Sequence, residues 1–596
     1  MLKDNKLILK DQYSDCIITF KRLKWFFKAN IKSYLFCALA LLFVSIMPVL
    51  PTKVLGIAID DIVMGNVTIN RIILYIIGLL VIPVFIYFVN IYYHYTMNKL
   101  GQDISYKLRE QYLEHLFELD SSIYEKYTKG DLIARISNDL TTVSGLATSF
   151  LQNVIYYFVT IVAATTMMLI INPMLCIASI AFMPFAIFIL NNIRKKKRQY
   201  YKKHHEIYGE MTENVLESIE SVKTVRAYGM EVEDYKKTKK AIDNDTKSWW
   251  YIQMFESLFV PMFELIYAVA YFIAIGLGTY MVIKSEISPG DLVSFLLYVG
   301  MLYGPLIGLS NVLNTISSIN IASQRFFEIM DLDTEVHDIS NPLNIMKFNE
   351  IKFIDVSFKF PFDNFNVLSN INLSIKSGET IGIVGPTGSG KSTLIRQLLR
   401  EFNISSGNIL IDDVPIEDYK IDDIRKMVGY VPQEHILFRR SVDDNILIGN
   451  PKATHEEINN AMIVADFKKD LNELSSGEHT LVSELGGSLS GGQRQRLSIA
   501  RALVRDPEIL ILDDSLSAVD ALTETNIIKQ LKATRVGKTN IIVAHCFSAI
   551  ALADKIIVLQ DGKITDIGTH RELLKYDNWY KMQYLIQIKG DNHEEL

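Results

Sequence analysis

Cysteine is scarce and scattered: Cys16, Cys37, Cys176 and Cys546 are the four in 596 residues. No two stand at a spacing that would clamp a metal or form a redox pair, so free thiols are expected. An excess of one charge is also lacking. Lys and Arg number 61 and Asp and Glu 67, a net charge of −6 that leaves no electrostatic footprint for nucleic acid. A cleavable leader is not expected, because residues 1–30 are polar and then basic and aromatic. Ionic residues are sparse, too, in the long apolar runs, nearly all of which lie before residue 320. What is abundant follows from this: 49% hydrophobic residues and a mean hydropathy of +0.18 are high for a chain with 21% charge. A chain this long exceeds one core and divides into two or three domains.

Six segments approach the ~20 apolar residues needed to cross a bilayer: 34–58, 71–95, 150–171, 174–193, 258–283 and 290–315. Before them, FKRLKWFFKANIK (20–32) mixes Lys and Arg with Trp25, Phe26 and Phe27. This suits a helix lying among lipid headgroups, or alternatively a polar tail with a few aromatics. RKKKRQYYKK (194–203) follows the fourth span and holds that end in the cytoplasm. Asn172-Pro173 makes a tight turn on the far side. Amphipathic patterns at 99–140 and 200–250 have no break from the neighbouring spans, so the helices are expected to run on into the cytoplasm and turn there. Both termini then lie inside.

The remainder reads as a soluble α/β domain. GPTGSGKST (385–393) fits G-x-x-x-x-G-K-[ST], between an apolar strand TIGIVG (380–385) and a helical TLIRQLLREF (393–402). Glycines let backbone N–H groups wrap a phosphate, and the helix N-terminus adds its positive end. The loop, Gly385, Pro386, Thr387, Gly388, Ser389, Gly390, Lys391, Ser392 and Thr393, is therefore the expected nucleotide site. Lys391 would reach the β- and γ-phosphates of ATP, and Ser392 would offer its hydroxyl to Mg²⁺. In ILILDDSLSAVD (509–520) an apolar strand ends in two carboxylates, at the end where open α/β sheets bind ligands. Asp513 suits a Mg²⁺ shell. Asp514 is placed to orient an attacking water, and a cation between the two acids would relieve their repulsion. LSGGQRQRLSIARAL (489–503) opens a further helix with Ser490, Gly491, Gly492 and Gln493, a second anion-binding N-terminus.

Taken together these motifs resemble the ATP-binding cassette (ABC) transporters, of which LSGGQ is the most specific mark, over about residues 20–588. The resemblance implies an exporter-type half-transporter: a membrane all-α six-helix domain followed by an α/β P-loop nucleotide-binding domain with a helical subdomain. The expected divisions are 1–32 cytoplasmic tail and interfacial helix, 33–318 membrane domain with two coupling regions, 319–348 linker, 349–588 nucleotide-binding domain and 589–596 polar tail. By the same resemblance Phe360 stands where a tyrosine usually stacks on adenine, although a plain core phenylalanine would read the same way. Gln433 matches the loop that senses Mg²⁺, Glu484 the loop before the signature (with Leu485 for the usual arginine), and SAVD (517–520) the loop that crosses to the partner. His545 matches the switch histidine, with Cys546 replacing an arginine. YEKYTKGDLIARISND (124–139) and ENVLESIESVKTVRAYGMEVE (213–233) resemble the two coupling regions, and ISPGDLVSFLLYVGMLYGPL (287–306) the last span.

In this family the phosphate loop of one chain faces LSGGQ of another, so a second half-transporter chain is the expected partner. Brisk exporters usually carry glutamate where this chain has Asp514. Aspartate falls short by one methylene, about 1.5 Å of reach, and a misplacement near 1 Å can cost on the order of a hundredfold. With LSGGQ intact, the pattern resembles the slow-site chain of bacterial heterodimeric multidrug exporters; a homodimer in which Asp514 serves is the alternative. The cargo is expected to be a hydrophobic or amphipathic compound leaving through a bacterial cytoplasmic membrane. Glu256 and Glu264, eight apart in the fifth span, share a helical face and would draw cationic amphiphiles if they line a cavity, or else form salt bridges. No peptidase domain is expected before the first span, which argues against a dedicated bacteriocin exporter. A lipid flippase and an ATP-driven regulator that moves nothing remain open; the domain fusion argues against an importer.

Overall fold

The computed structural model describes residues 16–591 apart from 182, 361–362, 484–485 and 545–546. By contacts the chain forms two compact units, one of residues up to Glu114 with Leu132–Asp331, the other of His115–Asp131 with Leu332 onward.

The first unit is helical. Five helices among the described residues are long and apolar enough to cross a membrane: Ile31–Val63, Ile69–Glu118, Lys129–Ile171, Glu264–Ile283 and Pro289–Leu309. The span expected at 174–193 runs through residue 182, outside the described residues, and helices Pro173–Ile180 and Met183–Glu220 flank that point. At ~1.5 Å per residue, helices Ile69–Glu118 and Glu231–Ile283 measure roughly 75–80 Å, far more than a ~30 Å hydrocarbon layer. Each holds one proline, Pro83 and Pro261, yet stays helical through both its apolar and its charged stretch, so the helix is longer than a bilayer crossing needs. Where apolar helices cannot be driven together by water, hydrogen bonds and close packing join them. The Tyr298 hydroxyl donates to the Val49 carbonyl at 3.1 Å and Ser294 to Thr52 at 3.2 Å, tying the last span to the first. Upstream, Phe26 is buried in the short helix Lys24–Ala29 while Trp25 stays exposed.

The second unit is layered. Strands β1 (Glu350–Phe358), β2 (Leu368–Lys376), β4 (Ser406–Ile411) and β5 (Val414–Pro415) make an antiparallel sheet in the order β2-β1-β4-β5. Strands β3 (Thr380–Val384), β6 (Val428–Val431), β7 (Ile509–Asp513), β8 (Thr539–Val543), β9 (Lys555–Gln560) and β10 (Lys563–Gly568) make the second, ordered β10-β9-β3-β8-β7-β6. Every pair in it is parallel except β9 with β10. Parallel strands are covered on both faces, which is why Ile509 to Leu512 run apolar without alternation and all five residues of β7 are buried. Its far end therefore delivers a carboxylate, Asp513, into a covered place.

The segment His115–Asp131 packs with this second unit. Asp120 is the reason. It caps the helix Ser121–Lys126 by accepting from the Ser122 N–H (3.0 Å), and its other oxygen accepts from the Glu335 N–H (2.8 Å) and the Thr334 hydroxyl (3.3 Å).

Candidate functional site

The phosphate loop starts where β3 ends. A side chain at Gly385 would put its Cβ 1.9 Å from the Leu559 carbonyl, so the neighbouring strand β9 admits only glycine there. Gly390 turns the chain at φ 94° into the helix Lys391–Leu398. The main-chain N–H groups of Lys391, Ser392 and Thr393 have no acceptor among the described residues, as the first turn of a helix requires. Ser389 Oγ, on the same loop, is buried without a hydrogen-bond partner among them. Pro386, Thr387 and Gly388 form the exposed rim. Lys391 Nζ folds back and donates to the carbonyls of Gly385 and Pro386, both at 2.9 Å. Burial holds this ammonium below the ordinary lysine range, with Asp514 and Asp513 pulling the other way.

Asp513 is 2% exposed. Ser392 donates to one of its oxygens at 3.0 Å and the Tyr430 hydroxyl to the other at 3.2 Å. Burial pushes its carboxyl up and the neighbouring Asp514 adds to this, against the two hydroxyls and Lys391. The Ser392 hydroxyl and the Asp513 carboxylate are hard oxygen donors. Together with unclaimed N–H groups and an orphaned hydroxyl, they fit a triphosphate with Mg²⁺, which binds through one or two protein oxygens plus phosphate. In that fit the loop N–H groups and Lys391 would grip phosphate, Ser392 and Asp513 would hold the cation, and the cation would neutralise phosphate charge.

Asp514 follows at φ 49°. Its N–H donates to the Val543 carbonyl at 2.9 Å and its own carbonyl accepts from the Ser517 hydroxyl at 3.0 Å. The backbone carrying the second acid is therefore held from both sides.

Phe360 is half-buried. Its ring meets Phe358 and Phe402 edge-on, with centroids 5.1 and 5.4 Å away. Gln433 is exposed, just past β6. Two residues on, His435 is half-buried; burial, then the charges of Arg494 and Arg501 on the signature helix, hold its imidazole down to about 4. Arg501 also donates to the Ile436 carbonyl at 2.9 Å. His545 and Glu484, both marked by sequence, lie outside the described residues.

The signature helix runs Gly491–Leu503 with Ser490 as its cap. Ser490 accepts from the Gln493 N–H (3.2 Å) and the Gln493 side chain accepts from the Ser490 N–H (3.0 Å), a reciprocal pair. Among the described residues no hydrogen bond or ion pair joins this motif to the phosphate loop of the same chain. Gln495 ties it instead to the segment after Asp514, accepting from the Ala518 N–H at 3.0 Å. Arg496 forms a two-pronged, buried pair with Asp470, both bonds 2.7 Å. Sequence reading passed over Gln495, Arg496, Asp470 and Tyr430. The first two sit in plain view inside LSGGQRQR, but nothing in the string says what they bind.

In the first unit Glu256 is ion-paired with Lys197. Glu264 is exposed and has no hydrogen-bond or ion-pair partner among the described residues.

A family model described as the ABC transporter transmembrane region matches residues 34–306, and one described as ABC transporter matches 368–517. A probable multidrug resistance ABC transporter ATP-binding/permease protein, YheI of Bacillus subtilis, is 38% identical over 571 residues, 95% of this chain and 97% of that one. The chain belongs to the ABC transporters. It is a half-transporter, with one membrane region and one ATP-binding domain, and so acts with a second ABC chain. The multidrug resistance-like ATP-binding protein MdlA of Buchnera aphidicola subsp. Schizaphis graminum is 34% identical, again over 95% of this chain and 97% of its own. The fold is that of a bacterial Atm1-family ABC exporter solved with ATP bound, at TM-score 0.79, covering 94% of this chain and 99% of that one at 24% identity. ABC membership makes the chain a multi-pass membrane protein whose nucleotide unit binds ATP.

Proposed function

We propose that this ABC half-transporter drives export of hydrophobic or amphipathic compounds across a bacterial cytoplasmic membrane, as the slow-site member of a heterodimer. Both termini lie in the cytoplasm, and its Ser490, Gly491, Gly492 and Gln493 complete the ATP site of the partner. Asp514 carries the reading. Because its main chain is fixed at N–H and carbonyl alike, the missing methylene is not recovered by a backbone shift. Bound ATP is then held for longer than it is split at this chain's own site, and turnover depends on a partner acid.

The purified chain alone is expected to hydrolyse ATP slowly. Asp514→Ala should change the ATPase rate of the full complex less than twofold, and Asp514→Glu should raise it where the partner's signature is intact. Brisk hydrolysis by the chain alone that collapses in Asp514→Ala would make Asp514 a working base and favour a homodimer.

The likeness to multidrug-resistance relatives supports a cationic or neutral amphiphile as cargo. Glu264, exposed in a membrane helix, is the acid available to select between them, since Glu256 is already neutralised by Lys197. In vesicles, Glu264→Gln should lower transport of cationic dyes several-fold, spare neutral ones, and leave basal ATPase intact. Equal losses for both classes would assign Glu264 to packing.

A further inference from the structure

Tyr430 sits on β6 beside β7, in register with Ile511, so its hydroxyl reaches Asp513 two residues further along. Asp513 thus has each oxygen on a different hydroxyl, Ser392 and Tyr430. The Tyr430 ring also lines a groove of about 420 Å³ with Asp120, Glu401, Arg425 and Arg505. Glu401 of this groove accepts at 2.6 Å from Arg396 of the phosphate-loop helix, and Arg396 lies 3.6 Å from Glu125 of the segment His115–Asp131. Its guanidinium covers the Phe402 ring at 4.8 Å, and Phe402 touches Phe360. Burial, then the charges of Asp513 and Glu401, hold the Tyr430 phenol protonated, while Arg396 acts against them. By position, the phenol is bonded to Asp513 and shares its groove with Glu401, the acceptor of Arg396.

We propose that Tyr430 links cation binding at Asp513 to the coupling segment through Glu401, Arg396 and Glu125. Asp513 cannot give full strength to two hydroxyls and a cation at once. As it turns toward a cation its bond from Tyr430 weakens, and the released hydroxyl is free to turn toward Glu401, which lines the same groove. Glu401 then holds Arg396 less firmly, and Arg396 leans on Glu125. Two arrangements result, one with Arg396 on Glu401 and one with Arg396 on Glu125, and the cation favours the second. Such coupling is reciprocal, so Glu125 must act back on the affinity for the cation. Tyr430 is a positioning residue in this scheme, and the segment His115–Asp131 is informed of metal-bound ATP before any bond is split.

The test is photolabelling of this chain by an azido-ATP analogue in the full complex across a Mg²⁺ titration. Tyr430→Phe removes a competitor for Asp513 and should lower the Mg²⁺ midpoint about threefold. Glu125→Gln should raise it about threefold, the scale of one exposed ion pair. In the Tyr430→Phe background Glu125→Gln should have no further effect. A midpoint that ignores Glu125→Gln overturns the proposal. So does a shift of equal size with and without the Tyr430 hydroxyl, which would be simple loss of a nearby charge. No hydrolysis is read, so the outcome is independent of whether this site is slow; both substitutions keep side-chain shape, and labelling at saturating Mg²⁺ reports folding.

Discussion

Lys391→Ala is expected to lower the affinity of this chain's own site for ATP about 100-fold and to abolish its photolabelling at concentrations that saturate the wild type. The ammonium now rests on two neutral carbonyls, Gly385 and Pro386, at 2.9 Å. Moving it onto phosphate oxygens exchanges neutral acceptors for charged ones, and a hydrogen bond to a charged group is worth ~1.5–3 kcal/mol against ~1 for a neutral one. Two such exchanges come to roughly 3 kcal/mol, which is two decades in Kd. Burial already disfavours the lysine charge in this loop, so an arriving anion also relieves a desolvated cation. The partner's labelling should be far less affected, because a different loop grips that nucleotide. Undiminished labelling of this chain would remove Lys391 from the phosphate site.

Arg496→Ala is expected to destabilise the nucleotide unit by ~3–5 kcal/mol, the usual cost of leaving a buried charge without its mate. Arg496 and Asp470 are 8% and 4% exposed, and both carboxylate oxygens are engaged. The loss should show as a lower unfolding midpoint and, because Arg496 stands on the signature helix, as a drop in ATPase of the whole complex. Replacing the pair together, Arg496→Met with Asp470→Leu, should recover most of the stability, since no lone charge remains. A single variant that unfolds within ~1 kcal/mol of the wild type would mean that water reaches Asp470 once the guanidinium is gone.

These two cases mark what could be read from the string. Lys391 was legible because a phosphate loop is local: strand, glycines, lysine and helix follow one another, and each has a fixed job at a fixed offset. The apolar run ending in Asp513 was legible for the same reason. Arg496 was not, since its partner lies 26 residues upstream and charged residues in that stretch look alike until folding sets them face to face. Tyr430 is 83 residues from Asp513, joined only by the parallel register of β6 and β7. The long membrane helices announced themselves by length and apolarity, yet nothing in ELDSSIYEKY says that Asp120 will accept a hydrogen bond from a backbone amide 215 residues away.

That last bond bears on how the protein can be taken apart. A fragment cut at the obvious place, from Leu332 to the C-terminus, would be short of seventeen residues that fold with it. The Glu335 amide would lose its carboxylate, Arg396 would keep Glu401 alone, and one wall of the groove beside Tyr430 would be water. A fragment that includes residues 115–131, rejoined through a short flexible linker, restores that wall and keeps the second unit whole for weighing nucleotide binding against the intact transporter.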